Sequence, residues 1–331
     1  MQLKGAKAIK KICIYGVGGV GGYFGGKIAH KLSQSDSDDH EVYFVARGQH
    51  LAAIQEKGLI LNTDDQRHLV CKPTLAAEDF KELPQVDLVF VCVKSYDLDS
   101  VIEQISGKVS NDTIIIPLLN GADIYERIRS KMSTGLVLPA CVLVGVHIEE
   151  PGVVSQKGGS GTILFGKDPQ SADVMPANVL EFFDHVGIKY QWIDDPYPAI
   201  WEKYIFIAPF ALVTASSGKV LGEVMEDMIL RDQVRDIMQE VALIAKLEGV
   251  ALRDTIVEES LNKANDFPYE TKTSFQRDYE QAGKRNEADL FGGTILRLGK
   301  KHSISTPVTE RIYSHIRSNV QSADCIAYYM D

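Results

Sequence analysis

The chain has 331 residues, 45% of them hydrophobic and 24% charged, and its formal net charge is −10. That length is too great for one ordinary core and suits two domains of normal globular composition. The acidic balance argues against nucleic acid and anionic membranes as partners, while local cations in a cleft could still hold a small anion.

The N-terminus, MQLKGAKAIKK, is basic but lacks the apolar stretch of a signal peptide. Lys11 to Tyr15 reads as a short apolar strand, followed by a glycine-rich turn and a helix through Leu32. The acidic, serine-rich stretch from Ser33 to His40 reads as a solvated insertion. Strands are then expected at Glu41 to Ala46, Asp87 to Val93 and Thr113 to Leu119. Runs such as DLVFVCV and TIIIPLL suit parallel strands buried on both faces, and alternating βαβ units predict a doubly wound sheet. Further strands between Gly135 and Gly166 are expected to extend that sheet. Leu136 to Ile148 is the best apolar run, but it contains Pro139 and Gly145 and falls short of the roughly 20 residues of a membrane helix. The expected location is therefore the cytoplasm.

The pattern changes near Asp194-Asp195-Pro196, after which the chain reads as helices. From Val220 to Leu247, the residues Leu221, Met225, Met228, Ile229, Val234, Ile237, Met238, Val241 and Ile244 recur at helical spacing, and Gly249 is placed to end that helix. Pro307 is placed to open the last helix. The prediction is an α/β Rossmann-type nucleotide-binding domain over residues 1–194 and a C-terminal all-α domain, for substrate and catalysis, over 195–331. Cys13, Cys71, Cys92, Cys141 and Cys325 form no C-x-x-C pair and no zinc-ligand spacing, so buried inert thiols are expected, and no metal.

Six places carry chemistry. GVGGVG (Gly16, Val17, Gly18, Gly19, Val20 and Gly21) lies between a strand and a helix, the context in which G-x-G-x-x-G binds a dinucleotide. Gly16 permits the tight turn, Gly18 lets a pyrophosphate approach, and Gly21 lets helix and strand pack closely. The second strand ends in Arg47 where an NAD enzyme would carry a carboxylate; a guanidinium suits a 2′-phosphate, which points to NADP(H). Lys94, past FVCV, could meet a cofactor phosphate or a substrate carboxylate, or be a solvated loop lysine. Asn120, in LLNGAD, could hold a substrate hydroxyl or carbonyl or belong to an ordinary Asn-Gly turn. Lys203 stands in the apolar run IWEKYIFIAPFALV, where burial would make it a proton donor near neutral pH, unless it snorkels to the surface. Ser274 in TSFQRD and Glu287 in NEADLFGG mean little singly.

Taken in order, with the closing segment GKKHSISTPVTERIY, these motifs resemble the 2-dehydropantoate 2-reductase (ketopantoate reductase) family over essentially the whole chain. The resemblance implies NADPH-dependent reduction of 2-dehydropantoate to pantoate, a step towards pantothenate and coenzyme A. It implies that Lys203 protonates the ketone oxygen as hydride arrives and that Asn120 orients the substrate and also binds the cofactor. It also implies that Ser274 contacts the substrate carboxylate, Glu287 holds a substrate hydroxyl, and Arg47 and Lys94 serve the cofactor. The chain departs from the family pattern where two asparagines usually follow the lysine: Ile207 and Ala211 stand there, with Pro209 between them. A reductase of another branched 2-oxo acid is the alternative, and a non-catalytic NADP(H) sensor, which would not need Lys203 and Glu287 together, is a third. The sequence leaves a homodimer open.

Overall fold

The computed structural model describes residues 7–34, 39–281 and 283–328, with side chains through residue 319. The start of the basic N-terminus, part of the Ser33–His40 insertion and the side chain of Cys325 lie outside the described residues. The chain divides into two compact units, residues 1–119 with 124–196, and residues 120–123 with 197–331.

The strands of the first unit are, in chain order, β1 (Lys11–Tyr15), β2 (Glu41–Val45), β3 (Leu59–Asn62), β4 (Leu69–Cys71), β5 (Leu75–Ala77), β6 (Leu88–Val91), β7 (Ile114–Pro117), β8 (Leu136–Val137), β9 (Ala140–Leu143), β10 (Val146–Glu150), β11 (Val153–Gln156), β12 (Thr162–Gly166) and β13 (Lys189–Ile193). Its helices are α1 (Gly19–Leu32), α2 (Gly48–Lys57), α3 (Leu98–Ser106), α4 (Ile124–Lys131) and α5 (Ala177–Val186). Six strands form one sheet in the order β5-β2-β1-β6-β7-β8, and every pairing in it is parallel. The chain leaves β1 towards β2 on one side and returns to β6 on the other. In such sheets ligands bind at that reversal, beyond the carboxyl ends of the strands.

The strands between Gly135 and Gly166 correct the expectation of a single sheet. Only β8 extends the parallel sheet; β10-β11-β3-β4 form a second sheet and β13-β12-β9 a third. Apolar runs announce burial but not the partner, and here glycines turn the chain. Gly152, with φ +82, closes the β10–β11 hairpin.

Helix α1 lies between the first two sheets, and its glycines are spaced for that. A Cβ on Gly21 or Gly25 would press on Gly16 and Cys92, or on Ile14 and Phe44, of the parallel sheet. A Cβ on Gly22 or Gly26 would press on Val154, or on Leu59 and Leu61, of the second sheet. The two pairs sit on adjacent faces at i, i+4 spacing, so one helix can be close-packed on both sides.

The second unit is helical: α6 (Tyr197–Ser217), α7 (Leu221–Glu226), α8 (Met228–Leu247), α9 (Ile256–Lys263), α10 (Ser274–Tyr279), α11 (Thr294–Lys301) and α12 (Pro307–Tyr328). The single helix expected from Val220 to Leu247 is two. Asp227 interrupts it because its carboxylate accepts from the N–H groups of Ile229 and Leu230 at 2.9 and 3.2 Å and caps α8. Helix α6 runs unbroken through Pro209. It is long and apolar enough to cross a membrane by length and composition, which corrects the expectation that no such segment exists. Its most apolar stretch is 67% buried, with α8, α10 and α12 packed on the helix, so its apolar character is that of a core helix. Among the described thiols, Cys13, Cys71 and Cys141 are buried and Cys92 half-buried. Burial pushes the Cys71 thiol up to about 12 and that of Cys13 well above its usual value, so both stay protonated and unreactive.

Candidate active site

The residues expected to bind the nucleotide belong to the first unit, save Asn120. At the end of β1, Gly16 takes φ +92, and a Cβ there would stand 3.0 Å from the carbonyl of Cys92, so the turn admits glycine alone. The N–H groups of Gly16 and Val17 both donate to the carbonyl of Val45, at 3.0 and 3.1 Å, fixing the turn to the end of β2. Gly18 caps α1 with no side chain, and nothing lies within 4 Å of where its Cβ would be. The first turn of α1 carries no acidic residue. The helix therefore offers unpaired N–H groups and its positive end to an anion that can approach the bare backbone.

Arg47 stands two residues beyond β2, in extended conformation, as the N-cap of α2. Its side chain is 73% exposed, and Nη2 donates to Asp97 Oδ2 at 2.8 Å. Asp97 lies past β6 in the same turn as Lys94, and its N–H donates to the Lys94 carbonyl at 2.9 Å. Lys94 and Arg47 thus stand beyond the carboxyl ends of β6 and β2, the strands on either side of β1. Asp97 is a residue that sequence reasoning missed, although it lies only three positions after Lys94. His50 is another. On the first turn of α2, its Nδ1 accepts from the Gly152 N–H at 2.9 Å. Burial lowers its pKa below the ordinary 6.5, against a smaller opposing pull from the Val17 carbonyl. It thereby ties α2 to the hairpin turn beside the glycine loop.

The second group belongs to the helical unit. Lys203 lies in the second turn of α6, and its Nζ donates to Asn120 Oδ1 at 2.7 Å. Next to it, Tyr204 is fully buried, and its hydroxyl is shared between the carbonyls of Leu290 and Phe291 at 2.8 and 3.1 Å. That bond fastens α6 to the segment that begins at Glu287. Glu287 is 7% exposed, and its carbonyl accepts from the Phe291 N–H at 3.3 Å, where the chain enters a single π-turn, Asp289–Gly293. Such turns widen a helix locally and recur at functional sites. Ser274 opens α10 and is exposed; its neighbour Thr273 is the cap, accepting from the Gln276 N–H at 3.1 Å. Ile207 is half-buried and Ala211 is buried, one and two turns after Lys203. So Lys203 and Asn120 are brought into direct contact, Glu287 is set beside α6 through Tyr204, and Ser274 stays at an open helix start. Among the described residues, no cluster of three or more His, Cys, Asp or Glu could hold a metal ion.

The chain is similar to known proteins over most of its length. Residues 12–170 match the model of ketopantoate reductase PanE/ApbA, and residues 196–320 match the model of its C-terminal domain. The chain is 27% identical over 309 residues to the uncharacterised oxidoreductase YkpB of Bacillus subtilis, covering 93% of this chain and 98% of that one. It is 25% identical over 307 residues to 2-dehydropantoate 2-reductase of Halobacterium salinarum, with the same coverage. The crystal structure of a PanE/ApbA family ketopantoate reductase from Ralstonia eutropha superposes with a TM-score of 0.83 at 27% identity, covering 95% of this chain and 99% of that one. With both halves matched in order, and with the parallel sheet and helical unit they require, the chain belongs to the ketopantoate reductase family of oxidoreductases.

Proposed function

We propose that the protein reduces 2-dehydropantoate to pantoate with NADPH, a step towards pantothenate and coenzyme A. The observation that carries this reading is the 2.7 Å bond from Lys203 Nζ to Asn120 Oδ1. An ammonium has three donors. Asn120 engages one and restrains rotation about the end of the side chain, so another N–H can be directed at a substrate oxygen. The bound nicotinamide would supply hydride to the ketone carbon. As negative charge builds on the ketone oxygen, Lys203 stabilises it and delivers the proton. Glu287 holds a substrate hydroxyl and Ser274 contacts the carboxylate. In the other unit Gly16 to Gly21 cradle the pyrophosphate, Arg47 takes the 2′-phosphate that distinguishes NADP(H), and Lys94 serves the cofactor. The open space at Gly18 and the exposed Arg47 fork fit such a group.

Ile207 and Ala211 favour a second reading, the reduction of a different branched 2-oxo acid. Apolar side chains there remove polar partners for a substrate hydroxyl, and a site lacking such partners loses its main means of rejecting analogues. The test is the loss of NADPH absorbance with 2-dehydropantoate beside a panel of other branched 2-oxo acids. Turnover of 2-dehydropantoate well above the rest supports the first reading; turnover of another acid alone replaces it with the second.

A further inference from the structure

A chain of polar contacts in the helical unit ends at the strap that carries Asn120. Thr294, the first residue of α11, is fully buried. Arg297 Nη2 donates to Thr294 Oγ1 at 2.9 Å, and Thr294 Oγ1 donates to Asp123 Oδ2 at 3.3 Å. The direction follows from chemistry: a guanidinium only donates and a carboxylate only accepts, so the single hydroxyl proton goes to Asp123. Arg297 is held in turn by Asp289, with Nη1 at 2.9 and 2.8 Å from the two carboxylate oxygens, and its Nη2 lies 3.5 Å from Asp123 Oδ2. The other oxygen of Asp123, Oδ1, is buried with no hydrogen-bond partner among the described residues. The contacts at Oδ2 are therefore what holds this side chain in place.

We propose that Thr294 and Arg297 are positioning residues, which grip Asp123 and so hold the strap Asn120–Asp123 where Asn120 meets Lys203. The inference rests on the reading of Lys203 as proton donor. The strap needs such a grip: Gly121, with φ +129, separates Asn120 from Asp123 and leaves the backbone between them easily turned. The strap also clusters with the helical unit although the residues on either side of it do not, so its place there depends on its own contacts. If Asp123 is released, Asn120 loses its fixed position and its contact with the Lys203 ammonium is disturbed. A displacement of about 1 Å at a reacting group can cost up to ~100-fold in rate.

Single-turnover reduction with NADPH and 2-dehydropantoate, or with whichever panel acid the wild type turns over fastest, tests this. Thr294→Val keeps the shape and removes the hydroxyl; it is expected to lower the rate about tenfold with the NADPH Kd unchanged. Thr294→Ser, which keeps the hydroxyl, is expected to restore the rate to within about twofold. Arg297→Gln, at a half-exposed side chain that can change without disturbing the core, is expected to lower it about threefold. In an Asn120→Ala background Thr294→Val is expected to cost nothing more, because the relay acts through Asn120. An unchanged rate in both Thr294→Val and Arg297→Gln would overturn the proposal, as would equal losses in Val and Ser, or the same loss with Asn120 already removed. Normal rates in Lys203→Ala and Asn120→Ala would instead bring down the proton-donor reading, and the relay's role with it.

Discussion

Lys203 and Asn120 are 83 positions apart in the sequence, and the 2.7 Å bond between them joins the buried helix α6 to a four-residue strap. An ammonium held in this way keeps its proton directed, and a carboxamide oxygen is an acceptor that cannot itself take the proton. Asn120→Ala is expected to lower kcat about tenfold while leaving the NADPH Kd within about twofold. Asn120→Asp, which keeps an acceptor but adds a charge, separates geometry from electrostatics. Steady-state kinetics with both variants checks this, and unaltered kcat in Asn120→Ala contradicts it.

For the cofactor, Arg47→Ala is expected to raise the KM for NADPH by about tenfold or more and to leave that for NADH nearly unchanged, because a 2′-phosphate loses a charge-assisted contact that a 2′-hydroxyl never made. Asp97→Asn, which releases the guanidinium from its 2.8 Å partner, is expected to shift the same ratio less. Equal effects on the two nucleotides would remove the 2′-phosphate assignment.

Much of this half was legible in the sequence. Strand, G-x-G-x-x-G and helix dictate one turn, and Gly16, Gly18 and Gly21 are where that turn requires them, with a positive φ, open space and close packing in that order. The partner of Arg47 was not legible. Asp97 lies 50 residues away, and only the parallel pairing of β2 and β6 on either side of β1 brings the two ends together. The strands after Gly135 failed for a related reason, since alternation and apolarity describe faces while pairing depends on where glycines turn the chain. Helix α6 was legible as helical, but Glu202, Lys203 and Pro209 broke its apolar run, so its length and deep burial were not. Nothing in LLNGAD announced that Asn120 to Asp123 would cluster with helices more than 70 residues further on.

One buried ion pair supports the first unit. Asp168, fully buried, accepts from Arg129, from the Tyr125 hydroxyl at 2.6 Å and from the Val137 N–H at 2.9 Å. Among the described residues, Arg129 Nε and Nη1 are already buried without hydrogen-bond partners. Asp168→Asn leaves the guanidinium uncompensated and is expected to cost about 3–5 kcal/mol in urea unfolding. A loss below ~1 kcal/mol would show that the pair contributes little.

Acid stability has an identifiable contributor. Burial pushes the Glu248 carboxyl up, but Lys301, at 2.7 Å, and His302, at 2.6 Å, outweigh it and hold the pKa below the ordinary 4.5. A lowered carboxylate pKa stabilises the fold at pH values above the unfolded value, and that contribution is lost as pH falls through the folded value. Between about pH 5 and pH 3 the melting temperature is expected to fall more steeply in the wild type than in Glu248→Gln. Parallel curves would contradict it.

Lys203 is proposed to deliver the proton as hydride reaches the ketone. Its most direct test is the single-turnover rate of NADPH oxidation in Lys203→Ala, with 2-dehydropantoate or the panel acid reduced fastest by the wild type, alongside the NADPH Kd. The expected rate is lowered roughly 100- to 10,000-fold with nucleotide affinity nearly intact. A variant that binds NADPH and transfers hydride at the wild-type rate would contradict it.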